Sequence, residues 1–138
     1  LDETLIETPA GLTIAGINDL RDIYPVMGRF RDILEPDVVT VLICHNPDFA
    51  EEGDLTLFDL VLSGHTHGGQ ITLFGYAPVI PSAYGQKYRT GTVYSRGTPV
   101  VISNGAGYSG SGILRFRLFA PSDFLLVTLQ PKLPGSDH

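Results

Sequence analysis

The first half of the chain alternates short apolar runs with one segment of helical periodicity. The β-rich run Gly11–Ile17 predicts a strand that leads into a loop. From Pro25 to Leu34 the apolar residues recur at close to a 3.6-residue period, which predicts a short amphipathic helix that Pro36 ends. Val38–Ile43 and Phe58–Leu62 are nearly all apolar, a pattern typical of strands covered on both faces. Together these elements predict an α/β fold.

The pattern changes from Ile71 onward, where glycine and proline separate short apolar runs that lack helical periodicity. We interpret this half as a β-meander. Its predicted strands are Ile71–Phe74, Gly91–Tyr94, Val100–Ser103, Ile113–Phe119 and Leu125–Leu129. One domain is expected over residues 1–138, with one or two helical turns at 48–53 and a disordered tail at 131–138.

Charge and composition exclude several classes of function. The formal net charge is −6, and the 9 Lys and Arg residues are scattered, so no nucleic-acid-binding surface is evident. No apolar run approaches the ~20 residues that span a bilayer. The single cysteine, Cys44, excludes an internal disulfide and a cysteine-built zinc site. We expect Cys44 to be a small core residue.

The sharpest chemical signal is the segment Gly64-His65-Thr66-His67-Gly68-Gly69-Gln70. A glycine-flanked turn gives the backbone the freedom to aim the rings of both His65 and His67 at one point. Neutral imidazole is a common ligand for zinc and related metals. The alternative is a polar turn whose histidines bind the backbone, but the glycines and the preceding apolar strand favour a metal site.

A third histidine, His45, follows the other apolar strand in Cys44-His45-Asn46-Pro47-Asp48. One short helical segment separates the two strands, so we expect them to be parallel neighbours with His45 and His65 side by side. Alone, His45 would be a capping or core residue; beside His65 and His67 it suggests a metal centre. Asn46 and Pro47 are expected to shape the turn, and Asp48 to cap a helix.

Several other residues are weaker candidates for a functional role. Gly105–Gly110 fits the dinucleotide-binding pattern G-x-G-x-x-G with Asp123 downstream, but a strand-like segment follows where that motif needs a helix. We therefore expect a loop that borders the site. Arg115 and Arg117 are interpreted as a solvated sheet face. The loop aspartates Asp19 and Asp22 are interpreted in the same way, as solvated residues.

These motifs resemble those of calcineurin-like metallophosphoesterases, most closely a bacterial branch of membrane-associated or exported phosphohydrolases. The resemblance is carried by His45–Asp48 and by Leu62–Gln70, which is highly specific. Weaker matches extend it through nearly the whole chain: Ala15–Asp19, Val101–Gly110, Leu114–Leu118 and Leu126–Leu129.

The resemblance implies the C-terminal half of an αββα sandwich and hydrolysis of phosphomonoesters or phosphodiesters at two divalent metal ions. The metals would be zinc, manganese, iron, nickel or cobalt. His45 and His65 would hold one metal and His67 the other, which makes all three catalytic residues. The family's Asp-x-His, Gly-Asp-x-x-Asp and Gly-Asn-His motifs, which supply the remaining ligands, do not occur in the chain.

Two alternatives stay open: a non-catalytic metal-binding or interaction domain, and a structural fragment without metal. The resemblance also implies that the fold needs a partner, either the N-terminal half of the same domain or a second copy of the chain. We expect an exposed strand edge and a bare apolar face at Val38–Ile43 and Leu60–Leu62, which such a partner would cover.

Overall fold

The computed structural model describes residues 4–17, 23–107 and 117–130. These residues contain a mixed sheet of six strands and a few short helices. The strands are β1 (Thr4–Glu7), β2 (Thr13–Ile17), β3 (Thr40–Cys44), β4 (Leu60–Ser63), β5 (Gly91–Ser95) and β6 (Thr98–Ile102). The helices are α1 (Ile23–Ile33), α2 (Phe49–Glu52) and 3₁₀ helices at Leu55–Leu57, His67–Gly69 and Gly85–Tyr88. The α/β class is therefore confirmed.

The strand order is β1-β2-β3-β4-β6-β5. Strands β2, β3, β4 and β6 are parallel neighbours, and β1 and β5 pair antiparallel at the two edges. The predicted parallel pairing of β3 with β4 is confirmed, with Ile43 opposite Leu62. The carboxyl ends of the four parallel strands consequently meet at one edge of the sheet, where open α/β sheets bind ligands.

The hydrophobic core lies on one face of the sheet. Register pairs Ala15 with Leu42 and Leu42 with Val61, and all three are fully buried. Phe30 of α1 and Phe49 of α2 pack on this face, and each ring forms a T-shaped pair with Phe58. The core therefore fixes both helices, and with them the turns at the strand ends.

The opposite face is also apolar but less covered. The paired residues Ile43 and Leu62 are half-buried on it, and Ile6 at the edge is 46% exposed. However, β3 and β4 are central strands, and Val41 and Leu60 are buried. The expected exposed edge at Val38–Ile43 and Leu60–Leu62 is thus wrong, because both strands have a hydrogen-bonded neighbour on each side. The expected bare apolar face is also wrong at Val41 and Leu60, and of these two strands only Ile43 and Leu62 are partly exposed on that face.

The predicted β-meander is also wrong in its topology. β5 and β6 form a hairpin, but β6 then pairs parallel with β4. Ile71–Phe74 is not a strand, because Phe74 and Gly75 adopt positive φ angles of 49° and 82° and turn the chain back so that Leu73 bridges to Tyr76.

The predicted strand Leu125–Leu129 is not formed with any of the described residues: the segment pairs with none of their strands, and its side chains are exposed. Of the predicted strand Ile113–Phe119, the first four residues lie outside the described part of the chain, as does the 131–138 tail. Its described end contributes one bridge, between Leu118 and Ile71.

Helix α2 is tied to the β5–β6 hairpin by Glu51. Its carboxylate accepts hydrogen bonds from Lys87, Tyr88 and Ser95, and the hydrogen bond from Lys87 is the main reason why the pKa of Glu51 is lowered. Arg96 in the hairpin turn donates to the Gly53 carbonyl at 2.9 Å. These contacts hold the second half of the chain against the first.

Candidate metal centre

Two of the predicted ligands meet at the carboxyl ends of β3 and β4. The His45 Nε2 and His65 Nδ1 atoms are 3.1 Å apart, and the two ring centroids are 4.9 Å apart. The turns themselves are joined, because the Gly64 N–H donates to the His45 carbonyl at 3.1 Å. The predicted juxtaposition of these two histidines is therefore present.

The histidine turn has an unusual backbone. His65 and His67 have φ angles of 69° and 50°, and Gly68 and Gly69 are left-handed as well. Each non-glycine residue in this region costs of the order of 1 kcal/mol or more, and such strain concentrates at functional sites. The histidine turn therefore depends on left-handed backbone at His65 and His67 as well as at the two glycines.

The buried side chain of Thr66 anchors this turn to the rest of the protein by a hydrogen bond. Its side chain is fully buried and its hydroxyl donates to the Arg89 carbonyl at 2.8 Å. At Gly69 an added Cβ would lie 2.2 Å from the Ala77 Cβ, so a larger residue would displace the turn. The positions of His65 and His67 are thus set by packing as well as by local conformation.

His67 lies beside Arg117, for which the sequence pattern predicts a solvated sheet face. The Arg117 guanidinium donates to the carbonyls of Asn104, Gly105 and Gly107 and approaches His67 Nδ1 at 3.0 Å. That expectation was wrong, since Arg117 ties the 104–107 loop to the site. Burial lowers the pKa of His67, and the Arg117 charge lowers it further, so the neutral imidazole is favoured.

The geometry of the histidine nitrogens determines how they would fit a bound metal ion. Two imidazole nitrogens on one tetrahedral zinc at ~2.0–2.1 Å lie roughly 3.3 Å from each other, close to the His45–His65 separation. Arginine can only donate, so the Arg117 contact uses the Nδ1 lone pair of His67. His45 and His65 therefore fit a shared cation, whereas His67 fits through Nδ1 only when Arg117 releases it.

The described residues supply no complete ligand set. Among them, no three His, Cys, Asp or Glu side chains are grouped so as to hold a metal ion. Asp19, Asp22 and Arg115 fall outside the described ranges. A metal centre here requires ligands beyond those that the described part of the chain brings together, and the three-histidine site stays a prediction.

Two buried polar atoms near the histidines have no hydrogen-bond partner within the described part of the chain. Ser63 Oγ and Asn104 Oδ1 are buried without a hydrogen bond among the described residues. Ser63 lines a depression of 330 Å³ together with His45, Ile43 and Leu62, and Asn104 Oδ1 would lie 2.9 Å from a Cβ at Gly68. Because an unpaired buried polar atom is costly, these groups favour a site that receives a polar ligand or water.

The neighbouring motif residues have structural roles. Asn46 accepts from the Asp48 N–H at 3.0 Å, which confirms that it shapes the turn. Cys44 is fully buried in the core, as expected. Asp48 stands at the start of α2 but makes no side-chain cap, so that expectation was wrong; its carboxylate binds Ser82 and Ala83 instead.

The glycine-rich loop does not have the contacts of a dinucleotide site in its described part. Asp123 Oδ1 accepts from Ser103 Oγ at 2.6 Å and from the Gly105 N–H at 3.2 Å. In a dinucleotide site this carboxylate would bind the ribose, but here Asp123 binds the start of the glycine-rich loop instead. Residues 108–110 of the motif lie outside the described ranges.

Several known proteins are similar to this chain over most of its length. An uncharacterised metallophosphoesterase of Campylobacter jejuni is 36% identical over 128 residues, covering 88% of this chain and 32% of the relative. The chain is homologous to metallophosphoesterases. YkuE of Bacillus subtilis, an uncharacterised metallophosphoesterase, is 32% identical over 86% of this chain and 41% of its own length. One from Helicobacter pylori strain J99 is 32% identical over 96% of the chain and 37% of the relative.

This metallophosphoesterase homologue spans only about a third to two-fifths of the length of these relatives. No protein-family model and no solved structure matches it. In the described residues no helix is long and apolar enough to cross a membrane. The membrane-associated or exported location implied by the resemblance stays a prediction.

Proposed function

We propose that the complete protein is a metal-dependent phosphoesterase that hydrolyses phosphomonoesters or phosphodiesters at a dinuclear centre. The observation that supports this most directly is the 3.1 Å contact between His45 and His65 at the ends of adjacent parallel strands. Homology to metallophosphoesterases over most of the chain supports the same reaction class. The proposal includes the αββα sandwich, in which a second sheet from the rest of the complete protein would pack against the sheet described above.

In this proposal His45 and His65 hold one divalent cation and His67 contributes to the second. When bound, the two cations would activate a water molecule as nucleophile and neutralise charge on the phosphoryl oxygens. Three neutral imidazoles bring no negative charge, so by themselves they favour zinc, nickel or cobalt over manganese. Carboxylates from elsewhere in the complete protein would complete the set and admit manganese or iron.

Metal dependence tests the function on the complete protein. We expect turnover of bis(4-nitrophenyl) phosphate or 4-nitrophenyl phosphate, loss of that turnover on dialysis against a chelator, and recovery with zinc, manganese, nickel or cobalt. Plasma mass spectrometry of the untreated protein should find close to stoichiometric metal. The physical reason is that the nucleophile and the charge neutralisation both depend on the cations.

The two alternatives give different results in the same experiment. Stoichiometric metal without hydrolysis of either ester would favour a non-catalytic metal-binding domain. Absence of both metal and turnover would favour a structural fragment and end the phosphoesterase proposal.

A second layer of protein is proposed to cover the less covered face of the sheet. Ile43 and Leu62 are half-buried there, and Tyr94 on the edge strand β5 is 70% exposed. Covering apolar surface gains about 25 cal/mol per Å². We propose that the covering layer is the N-terminal half of the same domain, with pairing of two copies as the alternative for the isolated chain.

The isolated 138-residue chain should therefore not behave as a monodisperse monomer. We expect light scattering and intact-mass analysis of one sample to find dimers, larger species or a second bound polypeptide. A monomer of single-chain mass with a cooperative melt would contradict the prediction. That result would show that the sheet is stable with one face uncovered.

A further inference from the structure

Residues 70–89 form a loop that begins and ends at the histidine turn, and we call this segment the anchored loop. At its start, Thr72 Oγ1 donates to the Gly68 carbonyl at 2.8 Å. At its end, the Arg89 carbonyl accepts from Thr66 Oγ1 at 2.8 Å. Both ends are thus fixed to residues adjacent to His65 and His67.

The middle of the anchored loop is fixed to the other histidine turn by Asp48. This side chain is only 4% exposed and lies three residues after His45. Its Oδ1 accepts from Ser82 Oγ at 2.5 Å, and its Oδ2 accepts from the Ala83 N–H at 2.8 Å. A buried aspartate that uses both oxygens on a loop 34 and 35 residues away is a specific long-range tie.

The loop also has internal structure. The Gln86 side chain bonds to both the N–H and the carbonyl of Ala77, and Ala77 packs on Gly69. Outside these ties, the apolar side chains of Phe74, Tyr76 and Val79 are mostly exposed. The backbone of the loop is therefore fixed beside the histidines, while its apolar side chains face outward and are open to contact.

We propose that Asp48 is a positioning residue for the anchored loop, and that the loop sets which esters reach the histidine site. In this proposal Asp48 acts through Ser82 and Ala83, and through these two contacts it holds the loop beside the two histidine turns. This inference rests on the proposed function for its consequence on substrates. The positioning of the loop by Asp48 does not depend on the proposed function, because it rests only on the contacts of Asp48 with Ser82 and Ala83.

The test compares three variants of the complete protein. Asp48→Ala removes both acceptors. Asp48→Asn keeps one oxygen for the Ala83 N–H and can donate to Ser82 Oγ, so it should restore the tie. Asp54→Ala is the matched control, because Asp54 also accepts a backbone N–H, that of Thr56 at 3.1 Å, but in a turn that does not contact the loop through this side chain.

The first readout is amide hydrogen exchange, which does not need turnover. Asp48→Ala should raise exchange at Ala83 at least about tenfold, whereas Asp48→Asn and Asp54→Ala should leave it near the wild-type rate. Unchanged protection at Ala83 in Asp48→Ala would overturn the proposal. So would an equal loss of protection in Asp54→Ala, because it would reflect general destabilisation.

The second readout is the KM for bis(4-nitrophenyl) phosphate against that for 4-nitrophenyl phosphate. In Asp48→Ala the ratio should change about tenfold with kcat altered less than about threefold, and Asp48→Asn should restore it. A fall in kcat alone with the KM ratio unchanged would overturn the specificity role. Wild-type protein without turnover, but with the expected exchange result, would reject the phosphoesterase proposal and the specificity role while leaving the tie established.

Discussion

Replacing His65 in the complete protein is expected to abolish phosphoester hydrolysis. Loss of an imidazole that holds a catalytic cation should lower kcat/KM at least about a thousandfold, which corresponds to ~4 kcal/mol. The 3.1 Å contact with His45 means that the same change also leaves His45 without its neighbour. Metal content measured by plasma mass spectrometry should fall together with activity.

Two variants separate chemistry from folding in this experiment. His65 has a φ of 69°, a conformation that asparagine tolerates better than alanine, so His65→Asn removes the imidazole with less backbone strain. Cys44→Ser, one residue from His45 but in the core, should keep most activity. Near wild-type turnover in His65→Asn would remove His65 from the catalytic centre.

Replacing Phe49 by Ala is expected to lower the free energy of unfolding by about 3–5 kcal/mol. The Phe49 side chain is fully buried, and its ring centroid lies 6.3 Å from that of Phe58. The ring also covers Gly53, where an added Cβ would come within 2.3 Å of it. Removing the ring would leave a cavity between α2 and the sheet that rigid neighbours cannot fill.

Urea unfolding followed by circular dichroism measures this loss. Phe124→Ala is the control, since that ring is 90% exposed and should change stability by less than about 0.5 kcal/mol. If Phe49→Ala does not fold, Phe49→Leu should still unfold at a lower urea concentration than wild type. Equal midpoints for the Phe49 and Phe124 variants would show that α2 does not contribute to the core.

Local patterns accounted for the part of the fold that carries His45 and His65. The apolar runs before each histidine predicted β3 and β4, and the short connection between them predicted parallel neighbours. Chain connectivity constrains such a unit strongly, because a crossover between adjacent parallel strands has essentially one arrangement. The contact between the two rings follows from that arrangement.

The remaining features depend on pairings that no local pattern contains. The contact of Arg117 with His67 and the tie from Asp48 to Ala83 join residues 50 and 35 positions apart. The position of β6 beside β4 joins strands that are not consecutive in the sequence. Residue types and their spacing indicate which secondary structure a segment can form. Which segment it then contacts depends on burial and on hydrogen-bond satisfaction over the whole chain. For that reason Asp48 looked like a helix cap and Arg117 like a surface residue, and packing in three dimensions placed both at the edge of the site.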